Sequence, residues 1–138
     1  MLKKLRKITV SVDTGFDKLI TARELQVSFK TRRVFRSFEY RRYVDTIAML
    51  LKNEIKRNLD NVTFPVFSRV DISVDILFVL PRRYANSRRG DLDNLLKPAL
   101  DAAEGILFDN DKYIVALSAR KTYDGDTVKI FYYIEVSP

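Results

Sequence analysis

Two hydrophobic periods run along this chain. From Val70 to Leu80 they alternate, with Val70, Ile72, Val74, Ile76, Phe78 and Leu80 on one face and Asp71, Ser73, Asp75, Leu77 and Val79 on the other. That is the period of a strand. The second face turns apolar towards its C-terminal end, which predicts that another element covers that end, and Pro81 stops the strand. Residues 7–12 (KITVSV), 113–121 (YIVALSARK) and 128–136 alternate in the same way. Gly15 breaks the first of these. Asp124-Gly125, between the last two, is a hairpin turn signal. A further strand is expected within 24–35 (ELQVSFKTRRVF), with Arg32 and Arg33 at a turn or edge.

The longer period appears twice. Tyr40, Tyr43, Val44, Ile47, Ala48, Leu51 and Ile55 recur at three and four, one apolar stripe of a helix from Ser37 to about Asn58. Ser37 suits the N-cap and Glu39 the first turn. Arg41, Arg42, Lys52, Lys56 and Arg57 lie away from the stripe, either as a solvated face or, for some, against a phosphate backbone. A second helix runs from about Leu92 to Glu104, with Leu92, Leu95, Leu96, Ala99 and Ala103 as its buried stripe and Asp93, Lys97 and Asp101 opposite. Pro98 removes one backbone bond and should kink or loosen its first turn. Gly105 ends it.

The order β, β, α, β, loop, α, β, β predicts an α/β (α+β) protein, a single domain over 1–138 with a mixed sheet packed by two main helices. A chain of 138 residues buries roughly two thirds of the surface it exposes unfolded, enough for a core without staples. No repeat or linker divides it.

Composition narrows the chemistry. Cysteine and histidine are both absent. Disulfides, thiolate sites, Ser-His-Asp and Cys-His arrangements and the usual zinc sites are therefore excluded. Catalysis must use carboxylates, lysine, arginine, tyrosine or an oxygen-bound metal. Lys and Arg number 25 against 18 Asp and Glu, a net charge of +7, which points to a polyanionic partner. No run approaches the ~20 apolar residues of a membrane helix, and a cytoplasmic protein with no membrane partner is expected.

The remaining chemistry gathers between Arg82 and Asp111. The loop 82–90 (RRYANSRRG) carries Arg82, Arg83, Arg88 and Arg89. Asp91 and Asp93 follow at the helix start, Lys97 comes one turn later, and Asp109 and Asp111 close the stretch. Carboxylate oxygens suit Mg²⁺, with Mn²⁺ as an alternative. The arginines and Lys97 suit a phosphate backbone, and a carboxylate-bound metal beside them suits phosphodiester hydrolysis. Singly, each residue has an ordinary role. Asp93 and Lys97 have the spacing of an i,i+4 ion pair worth about 0.3–0.5 kcal/mol; acids at a helix start are common caps, and Asp-Asn-Asp is common in turns.

Taken together, RRGDLDNLLKPALDAAEGILFDNDKYI resembles the signature of the RusA family of Holliday junction resolvases. The resemblance rests on Arg88-Arg89, Asp91-x-Asp93-Asn94-Leu95, Lys97, Asp101-Ala102, Gly105 and the distal acids. It implies a RusA-like α/β homodimer that cuts four-way DNA junctions with Mg²⁺ in recombination and repair. It also implies that Asp91, Asp93 and Asp111 are catalytic metal-binding carboxylates and Lys97 the catalytic lysine. The family usually has two adjacent acids where this chain has Asp109-Asn110-Asp111. Aligning Ile114 with the family's aliphatic residue selects Asp111; counting from Gly105 leaves Asp109 as the alternative ligand. The first alignment is preferred. The proline-rich opening common in the family is not present in the N-terminal third.

Overall fold

A computed structural model describes residues 5–20, 25–27, 34–36 and 38–138. Six strands and two helices are seen. Strand β1 spans Lys7–Asp13, and β2 (Leu25–Val27) and β3 (Val34–Arg36) form a small antiparallel pair. Helix α1 spans Phe38–Asn58, β4 Ile72–Pro81, α2 Leu92–Ala103, β5 Ile114–Gly125 and β6 Lys129–Val136. The strand expected within 24–35 is thus two short strands. Arg32, Arg33 and the expected N-cap Ser37 lie outside the described residues.

The main sheet has the order β1-β6-β4-β5. Strand β6 pairs antiparallel with both β1 and β4, whereas β4 and β5 are parallel. This corrects the hairpin expected at Asp124-Gly125. Strands β5 and β6 follow one another in sequence but are separated by β4. A hairpin needs a turn that returns beside its own strand; here the chain crosses the end of β4 instead. Gly125 stands opposite Pro81 in the register, and a Cβ there would lie 2.8 Å from the Thr127 carbonyl oxygen. The glycine serves a close backbone approach rather than a two-residue hairpin.

The registers put the apolar residues on one face. Ile130, Tyr132 and Ile134 of β6 stand opposite Val12, Val10 and Ile8 of β1 and opposite Phe78, Ile76 and Val74 of β4. Against this face pack the stripes of the two helices: Tyr40, Tyr43, Ile47, Leu51 and Ile55 from α1, and Leu95, Pro98, Ala99, Ala102 and Ala103 from α2. The small residues of α2 let its backbone approach closely. Tyr132, fully buried, donates its hydroxyl to the Ala99 carbonyl at 2.8 Å. On the other face of β4, Leu77 and Val79 are half-buried opposite Phe131 and Lys129, so the expected covering of that end is partial. Pro98 sits buried inside α2, which continues past it to Ala103.

Tyr132→Phe leaves the ring in place and removes only its bond to α2. It is expected to cost about 1 kcal/mol of stability, read as a lower urea midpoint with an unchanged slope.

Candidate active site

Strand β4 ends at Pro81 and the arginine loop begins. Residues 82–84 make one 3-10 turn, and the chain then reverses through Arg88 at φ 52° and Gly90 at φ 92°. A left-handed backbone favours glycine. At Gly90 the space also requires it, because a Cβ would stand 3.3 Å from methyls of Leu19, Leu80 and Leu95. Two residues of β5 hold this turn. Lys121 donates from Nζ to the Gly90 carbonyl at 2.8 Å, and the Tyr123 hydroxyl donates to the Arg89 carbonyl at 2.8 Å. Sequence reasoning missed both, since their role depends on β5 lying parallel beside β4.

The four arginines are exposed. Arg82 pairs with Asp126 at 3.3 Å, with both side chains in solvent. Arg83 lies over the Tyr84 ring at 4.8 Å and also donates to the Tyr84 hydroxyl and to the Asp17 carbonyl. Arg89 lies over the other end of the same aromatic contact, 5.9 Å from the Tyr84 ring centre. Tyr84 thus organises two of the four cations, and Arg88 projects from the turn itself.

Asp91 is the N-cap of α2, with extended backbone (φ −66°, ψ 136°), but its side chain accepts no bond from the helix N–H groups. The capping role common for acids at a helix start is therefore not what Asp91 does. The helix begins at Leu92, so Asp93 is already helical and exposed. Strand alternation does not set this pair; the turn from extended to helical backbone does. Lys97 pairs with Asp101 at 3.2 Å, not with Asp93. Asp101 in turn accepts from the Tyr40 hydroxyl at 2.8 Å. The ammonium group is thus steadied by a carboxylate that the core of α1 fixes.

Asp109 and Asp111 differ in environment. Asp109 Oδ2 accepts from the Arg69 backbone N–H at 3.1 Å and from the Ser68 hydroxyl at 3.4 Å. Its Oδ1 is buried with no hydrogen-bond partner. Asp109 thereby ties the segment before β4 to the segment before β5, beside the Phe67–Phe108 bridge. Asn110 supplies the turn chemistry, accepting from the Lys112 N–H at 2.9 Å. Asp111 is exposed at the first position of the 3-10 turn that leads into β5.

The structure brings Asp91, Asp93 and Lys97 together at one end of α2 and places Asp109 and Asp111 at the other. The parallel register shows why: Ile114, just after Asp111, stands beside Ile72 at the start of β4, whereas Gly125 stands beside Pro81 at its end. Among the described residues no three acids stand together as a metal-holding group. Asp91 and Asp93 suit an ion that keeps waters and takes a substrate phosphate, but the third expected carboxylate does not join them within one chain.

A small α+β protein with acids at a helix start beside an exposed arginine loop is of the class that handles phosphodiesters. A family model described as endodeoxyribonuclease RusA matches residues 19–135, and the chain belongs to that family. The match contains every site residue named above. The family implies Holliday junction endonuclease activity on branched DNA. No curated protein matches the chain, and among the described residues no helix is long and apolar enough to cross a membrane.

The two distal acids should separate on substitution. Asp109→Ala is expected to cost about 1 kcal/mol through the lost bonds to residues 68 and 69, lowering the thermal midpoint. Asp111→Asn should leave that midpoint unchanged. Gly90→Ala, which forces a Cβ against three leucines at positive φ, should cost on the order of 1–3 kcal/mol, again read by thermal unfolding.

Proposed function

We propose that this chain is an active, Mg²⁺-dependent endodeoxyribonuclease that resolves four-way (Holliday) DNA junctions during recombination and repair, in the cytoplasm. The observation that carries this reading is the family match over residues 19–135, which takes in Asp91, Asp93, Lys97 and Asp111 in their expected order. The local arrangement supports it. Asp91 is not occupied in capping α2, Lys97 is held at the same helix end, and the arginine loop is tied down by Lys121 and Tyr123.

In this reading Arg82, Arg83, Arg88 and Arg89 hold the DNA backbone. Their charge attracts the junction and makes binding strongly salt-dependent. Lys97 stabilises negative charge at the scissile phosphate, with Asp101 restraining its rotation. Asp91 and Asp93 are the metal-binding carboxylates, Asp111 is preferred over Asp109 as the distal one, and Mn²⁺ is an alternative to Mg²⁺. Cutting two strands symmetrically calls for two sites and therefore a homodimer.

A catalytically inactive DNA-binding relative is the alternative, and one observation favours it: the carboxylates of a single chain do not form a group. A synthetic four-way junction with Mg²⁺ decides between the two. The wild-type chain should cut it, with EDTA abolishing cutting. Asp93→Asn should bind the junction with little change and lose cutting by at least two orders of magnitude, in keeping with the removal of a catalytic group. Binding without cutting by the wild-type chain would establish the alternative.

A further inference from the structure

We propose that two copies of this chain join edge to edge through antiparallel pairing of β5, and that each copy's Asp111 enters the site headed by Asp91 and Asp93 of the other. This rests on the nuclease reading above and answers the missing third carboxylate.

Strand β5 is the outer strand of the sheet. Its residues Val115 to Ser118 are all exposed, on both faces of the strand. Val115 and Leu117 are 55% and 45% exposed although they lie on the face that the helices cover elsewhere. From Ile114 to Ala119 there is no charge. Natural edge strands are usually blunted by charge, proline or a cover. The opposite edge, β1, is blunted in this way: Lys7, Thr9, Ser11 and Asp13 are its exposed residues. The middle of β5 is not, and a strand with open backbone groups and apolar side chains at its centre fits another strand.

The occupant follows from the distribution of residues along β5. Asp111 lies just before its first residue, whereas Lys121 and Tyr123, near its last, hold Gly90 and Arg89 beside Asp91. Within one chain these ends are roughly 30–40 Å apart, from a strand rise of about 3.3 Å per residue. Antiparallel self-pairing about a two-fold axis superimposes opposite ends. Centred on Leu117, it sets Leu117 against the partner's Leu117, Val115 against the partner's Ala119 and Asp111 against the partner's Tyr123. The acid then arrives beside the turn that presents the partner's Asp91. Shifting the centre to Ala116 would oppose Lys112 to the partner's Arg120, a like-charge pair that disfavours that register.

Helix α2 agrees with this axis. Asp101 faces α1 through Tyr40. Leu92, Leu96 and Leu100 form the flank on the other side of the buried stripe, and they are only half-buried. The same two-fold brings this flank towards its copy. A second copy of the chain therefore covers the open edge, covers the half-buried leucines and completes the acidic set at both sites together.

Three measurements test the proposal. The chain has no cysteine, so Leu117→Cys offers a single thiol. It should give a disulfide-linked dimer on mild oxidation, whereas exposed Glu104→Cys should not. A dimer by sedimentation that fails to cross-link at 117 would overturn the interface, as would a monomer at micromolar concentration. Asp93→Asn and Asp111→Asn chains should each fail to cut as homodimers. Co-expressed under two affinity tags and purified as a mixed dimer, they should regain nicking at one intact site, because one chain supplies wild-type Asp91 and Asp93 and the other wild-type Asp111. Mixed dimers that stay inactive while wild-type dimers cut would overturn donation across the interface. Mn²⁺ binding, read by electron paramagnetic resonance, should follow the same pattern: one tight site per mixed dimer and none in either mutant homodimer. That readout holds whether or not the wild-type chain cuts DNA, so a failure of the nuclease reading remains distinguishable from a failure of the shared site.

Discussion

The parallel pairing of β4 with β5 is the constraint on which the rest of this protein depends. Parallel strands cannot be joined by a tight turn and need a crossover; here α2 provides it. Once β5 runs beside β4 in the same direction, the end of β4 and the start of β5 lie at opposite ends of the sheet. The arginine loop and Asp91 must then emerge at one end and the Asp109–Asp111 turn at the other. The same pairing brings Lys121 and Tyr123 level with the loop that follows Pro81, where their long side chains reach the carbonyls of Gly90 and Arg89.

Those two bonds explain how a loop crowded with positive charge keeps one shape. Four arginines close together repel one another, and each would be better solvated in an open chain. The loop is held instead through its backbone: carbonyls accept from β5, Gly90 fits among three leucine methyls, and the Tyr84 ring lies under two of the guanidinium groups. None of these contacts consumes the exposed guanidinium edge of Arg88 or Arg89. A fixed backbone with cations outward is suited to a phosphate chain, because less rotamer freedom remains to be lost on binding. Asp101 does the same for Lys97. Its other oxygen is anchored by Tyr40, so the lysine is restrained by a partner that is itself restrained.

Local patterning made much of this legible. The alternation in β1, β4 and β6 and the 3.6 period in α1 and α2 lie where the elements lie, because in each case one face is buried and the other is not. Tyr40, Tyr43, Ile47, Leu51 and Ile55 are buried as their spacing requires. What could not be read was pairing. Asp124-Gly125 has hairpin chemistry, but a glycine selected for close approach to the Thr127 carbonyl has the same identity as one selected for a turn. Asp93 and Lys97 have ion-pair spacing, yet Lys97 turns to Asp101, because Tyr40, distant in sequence, fixes that carboxylate. The separation of the two acidic groups was hidden for the same reason: sequence proximity across a crossover says nothing of distance, and a 12-residue helix puts its ends roughly 18 Å apart.

That separation also bears on why the distal acids are doubled. Asp109 is committed to the fold: it accepts from residues 68 and 69 and so closes the base of the crossover where β4 and β5 both begin. Asp111 lies two residues on, past Asn110, which takes over the local turn bonding through Lys112. With the turn already satisfied by Asn110 and the base already closed by Asp109, nothing in the local structure needs a carboxylate at 111. An exposed charge at the mouth of an uncharged edge strand gains little from solvent-screened surface pairing. Its placement makes more sense if its partner comes from outside the chain, and the direction of β5 determines which end of a second copy it would meet.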